Sequence, residues 1–322
     1  MTPREKFIMA LEGKQPPGRV PHTEIVFYLT MEAFGRIQPN HRYYKQWNQM
    51  SQQERDLHSR DMVDLYVAVA RKYEHCSIFL AGPTGLSLDD LETEHMRQLE
   101  IIRELSGMDF FLMTHGDATW WIPQGDQMME FAGKLADEPQ EMKDQADRMV
   151  DEALVKGRRF RKHGVIDGFA LCTDYCYNDN PFLSPTMFDE FVTPYLTRLI
   201  AGYRRMGFYV IKHTDGNIMP ILDSLVAANP HAIHSLDPQA GVDIAEVKRL
   251  VGHKVCLMGN VNCGLLHTGT DEEVIESARY ALKSGMPGGG YVFCTSNSPY
   301  TGMPLERYEL MLDVWRKEGN YD

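Results

Sequence analysis

Residues 211–217 of this 322-residue chain read Ile-Lys-His-Thr-Asp-Gly-Asn. Side chains two apart on a strand face the same way. His213 and Asp215 can therefore point together into one cavity, and Gly216 lets the backbone turn sharply behind them. An imidazole and a carboxylate at that spacing can share a divalent metal ion, or the carboxylate can orient the imidazole for acid–base work. A buried His satisfied by its neighbour is the structural alternative. Asp237, at the end of the next apolar run and before Pro238, is a plausible third oxygen ligand or a turn-forming Asp. Asn260 and Asn262 close the run after that, where amides can hold a substrate oxygen or tie the loop. The last run ends in the polar cluster Cys294-Thr295-Ser296-Asn297-Ser298, in which Asn297 and Cys294 have opposite parity and so do not both face inward on a regular strand.

Three further places carry polar groups at strand-like spacing. Asp174 and Tyr175 end the run 165–175 within reach of a substrate. His115 and Asp117 repeat the two-residue spacing and lead into Trp120 and Trp121, which can stack on a flat ligand or pack a loop onto the body of the protein. His22 and Glu24 form another same-face pair, although inside a run rather than at its end.

These residues need a scaffold that gathers them. Eight short β-rich apolar runs recur at 20–29, 76–83, 110–117, 165–175, 208–216, 232–239, 254–261 and 291–298. Between and after them, residues 42–72, 87–106, 137–163, 186–206, 217–228, 243–252, 271–285 and 304–318 have apolar side chains at three-to-four spacing. Thr2 with Glu5 and Thr270 with Glu273 read as capping boxes, and Ser184-Pro185 as a helix start. Strands alternating with helices imply a parallel sheet, and eight units suffice to close a barrel. The expected fold is α/β: a single (β/α)8, TIM-like barrel domain over 1–322, with an N-terminal helix and an inserted loop, 118–136, at the barrel mouth. An open doubly wound sheet is the alternative. Functional groups belong at the carboxyl ends of the strands of such a barrel.

Bulk properties narrow the function. A net charge of −12 and the lack of a convincing basic cluster argue against nucleic acid; the densest, Arg158 to Lys162, reads as the basic last turn of a helix. No apolar run approaches the ~20 residues needed to span a bilayer, and the acidic start lacks a signal-peptide core, so a cytoplasmic protein is expected. The six cysteines form no CxxC pair, which leaves neither a zinc knuckle nor a disulfide framework. Phosphate-loop, dinucleotide and nucleophile-elbow motifs are missing. Gly288-Gly289-Gly290 reads as a tight turn before the last strand.

Several ordered motifs together resemble the uroporphyrinogen decarboxylase superfamily. Residues 182–195, Phe-Leu-Ser-Pro-Thr-Met-Phe-Asp-Glu-Phe-Val-Thr-Pro-Tyr, are similar to its LSPxxFxxFxxPY stretch. Met258-Gly259-Asn260-Val261-Asn262, Leu265-Leu266 and Gly269-Thr270-Asp271-Glu272-Glu273-Val274 resemble its GNVDP…LL…GTxEEV block, and Gly302 to Tyr308 its G-x-P-x-E-N region. The likeness covers roughly 1–318 and is strongest beyond residue 165.

That superfamily includes tetrapyrrole decarboxylases and corrinoid-linked methyltransferases. The resemblance implies, for a decarboxylase, an MRQAGR segment after the first strand that grips the substrate's carboxylates; here Leu29 to Arg36 keeps only Arg36, beside Glu32. It also implies a His in the eighth-strand loop, where Asn297 stands. Methyltransferases serving coenzyme M carry His-x-Cys at the fifth strand and Cys at the eighth. Here His213-Thr214-Asp215 replaces the Cys with Asp, and Asn297 stands at the second position. Such a site is harder in ligand terms and suits polarising an oxygen rather than activating a thiolate.

The chain therefore looks like the relatives that move a methyl group from a small, methoxylated donor to a corrinoid protein. Zinc or another divalent metal would sit on His213, Asp215 and Asp237. Tyr175 would share in catalysis with His213 and Asp215, while Trp120, Trp121, Asp174, Asn260 and Asn297 would bind substrate or the partner's flat cofactor. The alternatives are decarboxylation of a tetrapyrrole and a non-catalytic tetrapyrrole-binding barrel. A homodimer is plausible by the same resemblance.

Overall fold

The computed structural model describes residues 1–42 and 45–321, with the side chains of 88 and 89 excepted. Seven parallel strands lie side by side in chain order: β1 Ser77–Leu80, β2 Phe111–His115, β3 Gly168–Leu171, β4 Tyr209–His213, β5 Ala232–His234, β6 Cys256–Met258 and β7 Tyr291–Val292. The helices are α1 Pro3–Leu11, α2 Thr30–Phe34, α3 Gln52–Lys72, α4 Leu88–Ser106, α5 Gln127–Asp137, α6 Pro139–His163, α7 Pro185–Phe191, α8 Thr193–Arg205, α9 Leu222–Ala227, α10 Ile244–Val251, α11 Cys263–Thr268, α12 Asp271–Gly285 and α13 Leu305–Glu318.

The first apolar run, expected as a strand, forms no ladder. It nevertheless spans the gap between β7 and β1. Phe293 N donates to Pro21 O (2.9 Å), Thr23 N to Phe293 O (3.3 Å) and Cys76 N to His22 O (2.7 Å), and His22 bridges Phe293 in parallel. Pro21 has no N–H to give a ladder, so the closure stays one bridge long. The result is a TIM-like α/β barrel of seven strands and one bridging segment.

Alternation along the strands sorts the side chains. Phe111 and Met113, Ala170, Ile211, Ala232, and Cys256 and Met258 fill the interior, together with Phe7, Ala10 and Leu11 of α1. Phe7 packs on Phe111 with ring centroids 4.9 Å apart. Because Phe111 opens β2, α1 plugs the amino-terminal end of the barrel. Residues of the opposite parity, such as Leu112, Phe169 and Val210, pack outward under the helices.

Helix ends follow local chemistry. The capping boxes Thr2/Glu5 and Thr270/Glu273 form as expected, and Ser184 caps α7. The stretch 186–206 divides at Val192 because Pro194, in the first turn of α8, disfavours helical backbone in the residues before it. Of the stretch 42–72, residues 43 and 44 lie outside the described residues, Trp47–Gln49 forms a short 3-10 turn, and the α-helix begins at Gln52 behind a Ser51/Glu54 capping box. The insertion 118–136 carries most of α5. No helix among the described residues is long and apolar enough to cross a membrane.

Candidate functional site

The interior parity of β3, β4 and β5 continues past their last apolar residues: Ala170 leads to Cys172 and Asp174, Ile211 to His213 and Asp215, and Ala232 to His234. Three of these groups converge. One potential ligand atom each from Asp174, His213 and Asp215 lies within 4.8 Å of the others. His213 Nε2 is 3.6 Å from Asp174 Oδ1 and 3.8 Å from Asp215 Oδ1. The expected pair is therefore side by side, and its third member is Asp174.

Each ligand candidate is held from behind. Asp215 Oδ2 accepts from Asn297 Nδ2 at 2.6 Å, and Asp215 N donates to Asp174 Oδ1 at 2.9 Å. Asp215 Oδ1 is buried and, among the described residues, makes no close hydrogen bond, with His213 Nε2 at 3.8 Å and the Ser235 hydroxyl nearby. Burial pushes the Asp215 carboxyl up, opposed by His213 and reinforced by the like charge of Asp174. His213 Nδ1 lies 2.8 Å from Nδ1 of His234, its register partner on β5. One of the two nitrogens must carry the proton. Burial holds His234 neutral, its pKa well below the usual imidazole value. If its Nδ1 accepts, His213 Nδ1–H donates and the lone pair of His213 Nε2 faces the two carboxylates, the arrangement of a metal-ligating His oriented by a second residue.

Glu24, Ile25, Val26, Phe79, Cys172, His213, His234, Asn297 and Ser298 line a cavity of about 100 Å³. Among the described residues, its lining contains no Lys or Arg. Arg36 points elsewhere, pairing with Asp61 and Asp64 on α3. A larger concavity of about 610 Å³ opens where the strands begin, lined in part by Leu11, Glu12, Tyr209, His231 and Lys254. It lies at the plugged end of the barrel, away from the converging ligands.

Several expected site residues are elsewhere. Asp237 caps the turn Pro238–Ala240, accepting from Gln239 N at 3.0 Å, and stands outside the three-ligand group. Asn260 donates its amide to Leu236 O at 2.8 Å and ties two loops. Tyr175, of opposite parity to Asp174, is fully buried against Phe188 of α7, and its hydroxyl bonds Thr119 at 2.6 Å. Trp120 is buried against Phe131 of α5, and Trp121 is exposed beside it; both border a groove between the insertion and α6 rather than the ligand cavity. The pair His22 and Glu24 splits because the run is not a pleated strand: His22 bonds Tyr308 of α13, and Glu24 faces the cavity. Asp174 belongs to the converging group, and Asn297 lines the cavity and donates to Asp215.

Two functional neighbours escape a reading of run ends. His234 lies inside its run; its only local signal is an imidazole at interior parity two residues beyond Ala232. Lys212 is fully buried outside the barrel wall, with Nζ 2.9 Å from Asp117 Oδ2, 2.8 Å from Thr173 O and 3.3 Å from Leu171 O, and 4.1 Å from the centre of the Tyr175 ring. Burial pushes Asp117 up, but Lys212 and the hydrogen bonds outweigh it and hold the carboxyl below its usual range. This ion pair ties β4 to the loops after β2 and β3, next to the candidate ligands.

The profile of the family described as uroporphyrinogen decarboxylase (URO-D) matches residues 126–318. A uroporphyrinogen decarboxylase of Shewanella loihica is 31% identical over 121 residues, covering 34% of this chain and 31% of that protein. That of Thioalkalivibrio sulfidiphilus is 27% identical over 146 residues, covering 42% and 39%. These matches span well under half the length of either relative. A methyltransferase from Methanosarcina mazei superposes with a TM-score of 0.75 at 16% identity, covering 98% of this chain and 99% of that one, so the two share a fold along their whole length. With more than half of its length matched by the family profile, the chain belongs to the uroporphyrinogen decarboxylase family.

Proposed function

We propose that the chain is a metal-assisted methyltransferase that moves a methyl group from a small, methoxylated donor to a corrinoid carried by a separate protein. The observation that carries this reading is the convergence of His213, Asp174 and Asp215 at the carboxyl ends of β3 and β4. One imidazole and two carboxylates form a hard donor set suited to a divalent ion such as zinc. The buried Asp215 Oδ1, which among the described residues makes no close hydrogen bond, fits the same assignment, since a buried carboxylate oxygen is costly without a close donor or cation. Bound there, the ion would supply Lewis acidity toward an oxygen. Asn297 fixes the Asp215 carboxylate, and His234 fixes the tautomer and ring of His213.

The cavity favours this reading over decarboxylation. On this measure one water needs about 10–15 Å³, so about 100 Å³ offers room for a small donor group. The names of the curated relatives favour decarboxylation of a tetrapyrrole, but that substrate would meet no Lys or Arg in the cavity lining.

Metal analysis of the purified protein, with His213→Ala and Asp215→Ala beside it, tests the ligand set. Near-stoichiometric metal is expected, falling roughly tenfold or more in either variant. A screen of methoxylated and methylamine donors with reduced cobalamin as acceptor, read by cobalt absorbance, tests the transfer. Turnover of uroporphyrinogen in place of any methyl transfer would replace this reading with the decarboxylase one.

A further inference from the structure

Glu24 lines the ligand cavity and takes no part in the metal site described above. Its side chain is 4% exposed, and its hydrogen bonds among the described residues come from Thr295: the hydroxyl at 2.5 Å from Oε2 and the backbone N–H at 3.3 Å from each oxygen. The Thr295 hydroxyl also lies 2.5 Å from Asn297 O. A hydroxyl has one proton and two lone pairs, and a backbone carbonyl only accepts. The single Thr295 proton can serve only one of these two acceptors; given to Asn297 O, it leaves the hydroxyl to accept from a protonated Glu24. The surroundings agree. Among the described residues, the titratable groups around Glu24 are the thiols of Cys263 and Cys294, the phenols of Tyr66 and Tyr308, the imidazole of His75, and across the cavity His213 and His234. Neither Lys nor Arg is among them, and burial pushes Glu24 up to about 8 against the pull of the Thr295 hydrogen bonds.

We propose that Glu24 is the general acid of the methyl transfer, a neutral carboxyl that delivers its proton to the oxygen the methyl group leaves. This rests on the methyltransferase reading. The bond between the methyl carbon and the oxygen breaks with its electron pair going to the oxygen. The methyl carbon is taken up by the partner corrinoid's cobalt(I), which supplies both electrons of the new bond and becomes cobalt(III). The proton passes from the Glu24 carboxyl to the oxygen, releasing an alcohol or phenol, and the carboxylate regains a proton from solvent. An alkoxide or an unactivated phenolate is a poor leaving group at neutral pH, which is where a positioned acid contributes most.

Glu24→Gln keeps the shape of the side chain and removes the acidic proton. Two methyl aryl ethers serve as donors, one unsubstituted and one nitro-substituted, whose phenolate leaves without protonation. The variant should lose about 100-fold on the first and much less than tenfold on the second. Wild-type protein at neutral pH should show a protonated-carboxyl infrared band that is missing from E24Q. Its transfer should slow in heavy water with the first donor only, a readout that needs no variant to fold. Equal losses on the two donors, a missing band, or equal isotope effects would overturn the role of Glu24. If wild-type protein transfers no methyl group from any donor while the band is present, the functional reading itself fails and this role falls with it.

Discussion

Replacing Lys212 by Met leaves the Asp117 carboxylate buried without its countercharge. The side chains of both residues are essentially inaccessible, at 0% and 1%. In the native protein the three ammonium protons have three oxygen acceptors: Asp117 Oδ2, Thr173 O and Leu171 O. After substitution Asp117 keeps the Thr119 hydroxyl and the backbone N–H groups of Thr119 and Thr173. Breaking a buried pair at one end costs about 3–5 kcal/mol, a large share of the roughly 5–15 kcal/mol of a typical fold.

The pH dependence fixes the cause. In the wild type the folded pKa of Asp117 is depressed, so its stabilisation is present above the unfolded value of about 3.9 and is lost as pH falls through the lower folded value. In Lys212→Met burial dominates and the folded pKa rises above the unfolded one. The variant then recovers stability as the carboxyl protonates, and its deficit against wild type narrows from pH 7 to pH 5. Urea unfolding followed by circular dichroism measures both. A deficit under about 1 kcal/mol at pH 7, or one independent of pH, would refute the role of this ion pair. Lys212→Met combined with Asp117→Leu should recover most of the loss, because an apolar pair removes the stranded charge.

Gly216→Ala should cost about 2 kcal/mol or more: Gly216 has φ +82°, and a Cβ there would lie 2.5 Å from Tyr177 O and 2.6 Å from Cys176 O. The same change should lower metal content by shifting Asp215, and a variant with wild-type melting and metal content contradicts both. His234→Ala should weaken metal binding by about 10- to 100-fold in chelator competition by freeing the His213 ring; unchanged affinity removes its orienting role. Glu24 has a folded pKa raised to about 8 over an unfolded value of about 4.3, so it stabilises fully below the lower value and loses that contribution as pH rises toward the upper. Urea titrations should therefore show E24Q gaining on wild type between pH 5 and pH 8, and parallel curves would mean that Glu24 is already charged.

Alternation of apolar and polar side chains is a local property, and it was enough to identify the parallel barrel, the mouth at the carboxyl ends of the strands and the shared direction of His213 and Asp215. The same rule, applied strictly, sets Tyr175 on the outer face once Asp174 is taken as inward, and it points Lys212 away from His213. Motif order was enough for the family. What the chain order does not contain is distance between strands. His234 meets His213 because β4 and β5 pair with those two residues in register. Asp174, rather than Asp237, joins His213 and Asp215 in the candidate ligand group because the loop after β3 returns across β4, whereas Asp237 caps its own turn. Lys212 and Asp117 find each other across 95 residues of sequence, and Pro21 leaves the first run a single bridge where a strand was expected. Side-chain direction follows from the pleat of one strand, while partnership between strands follows from register and loop path, which only the folded barrel sets.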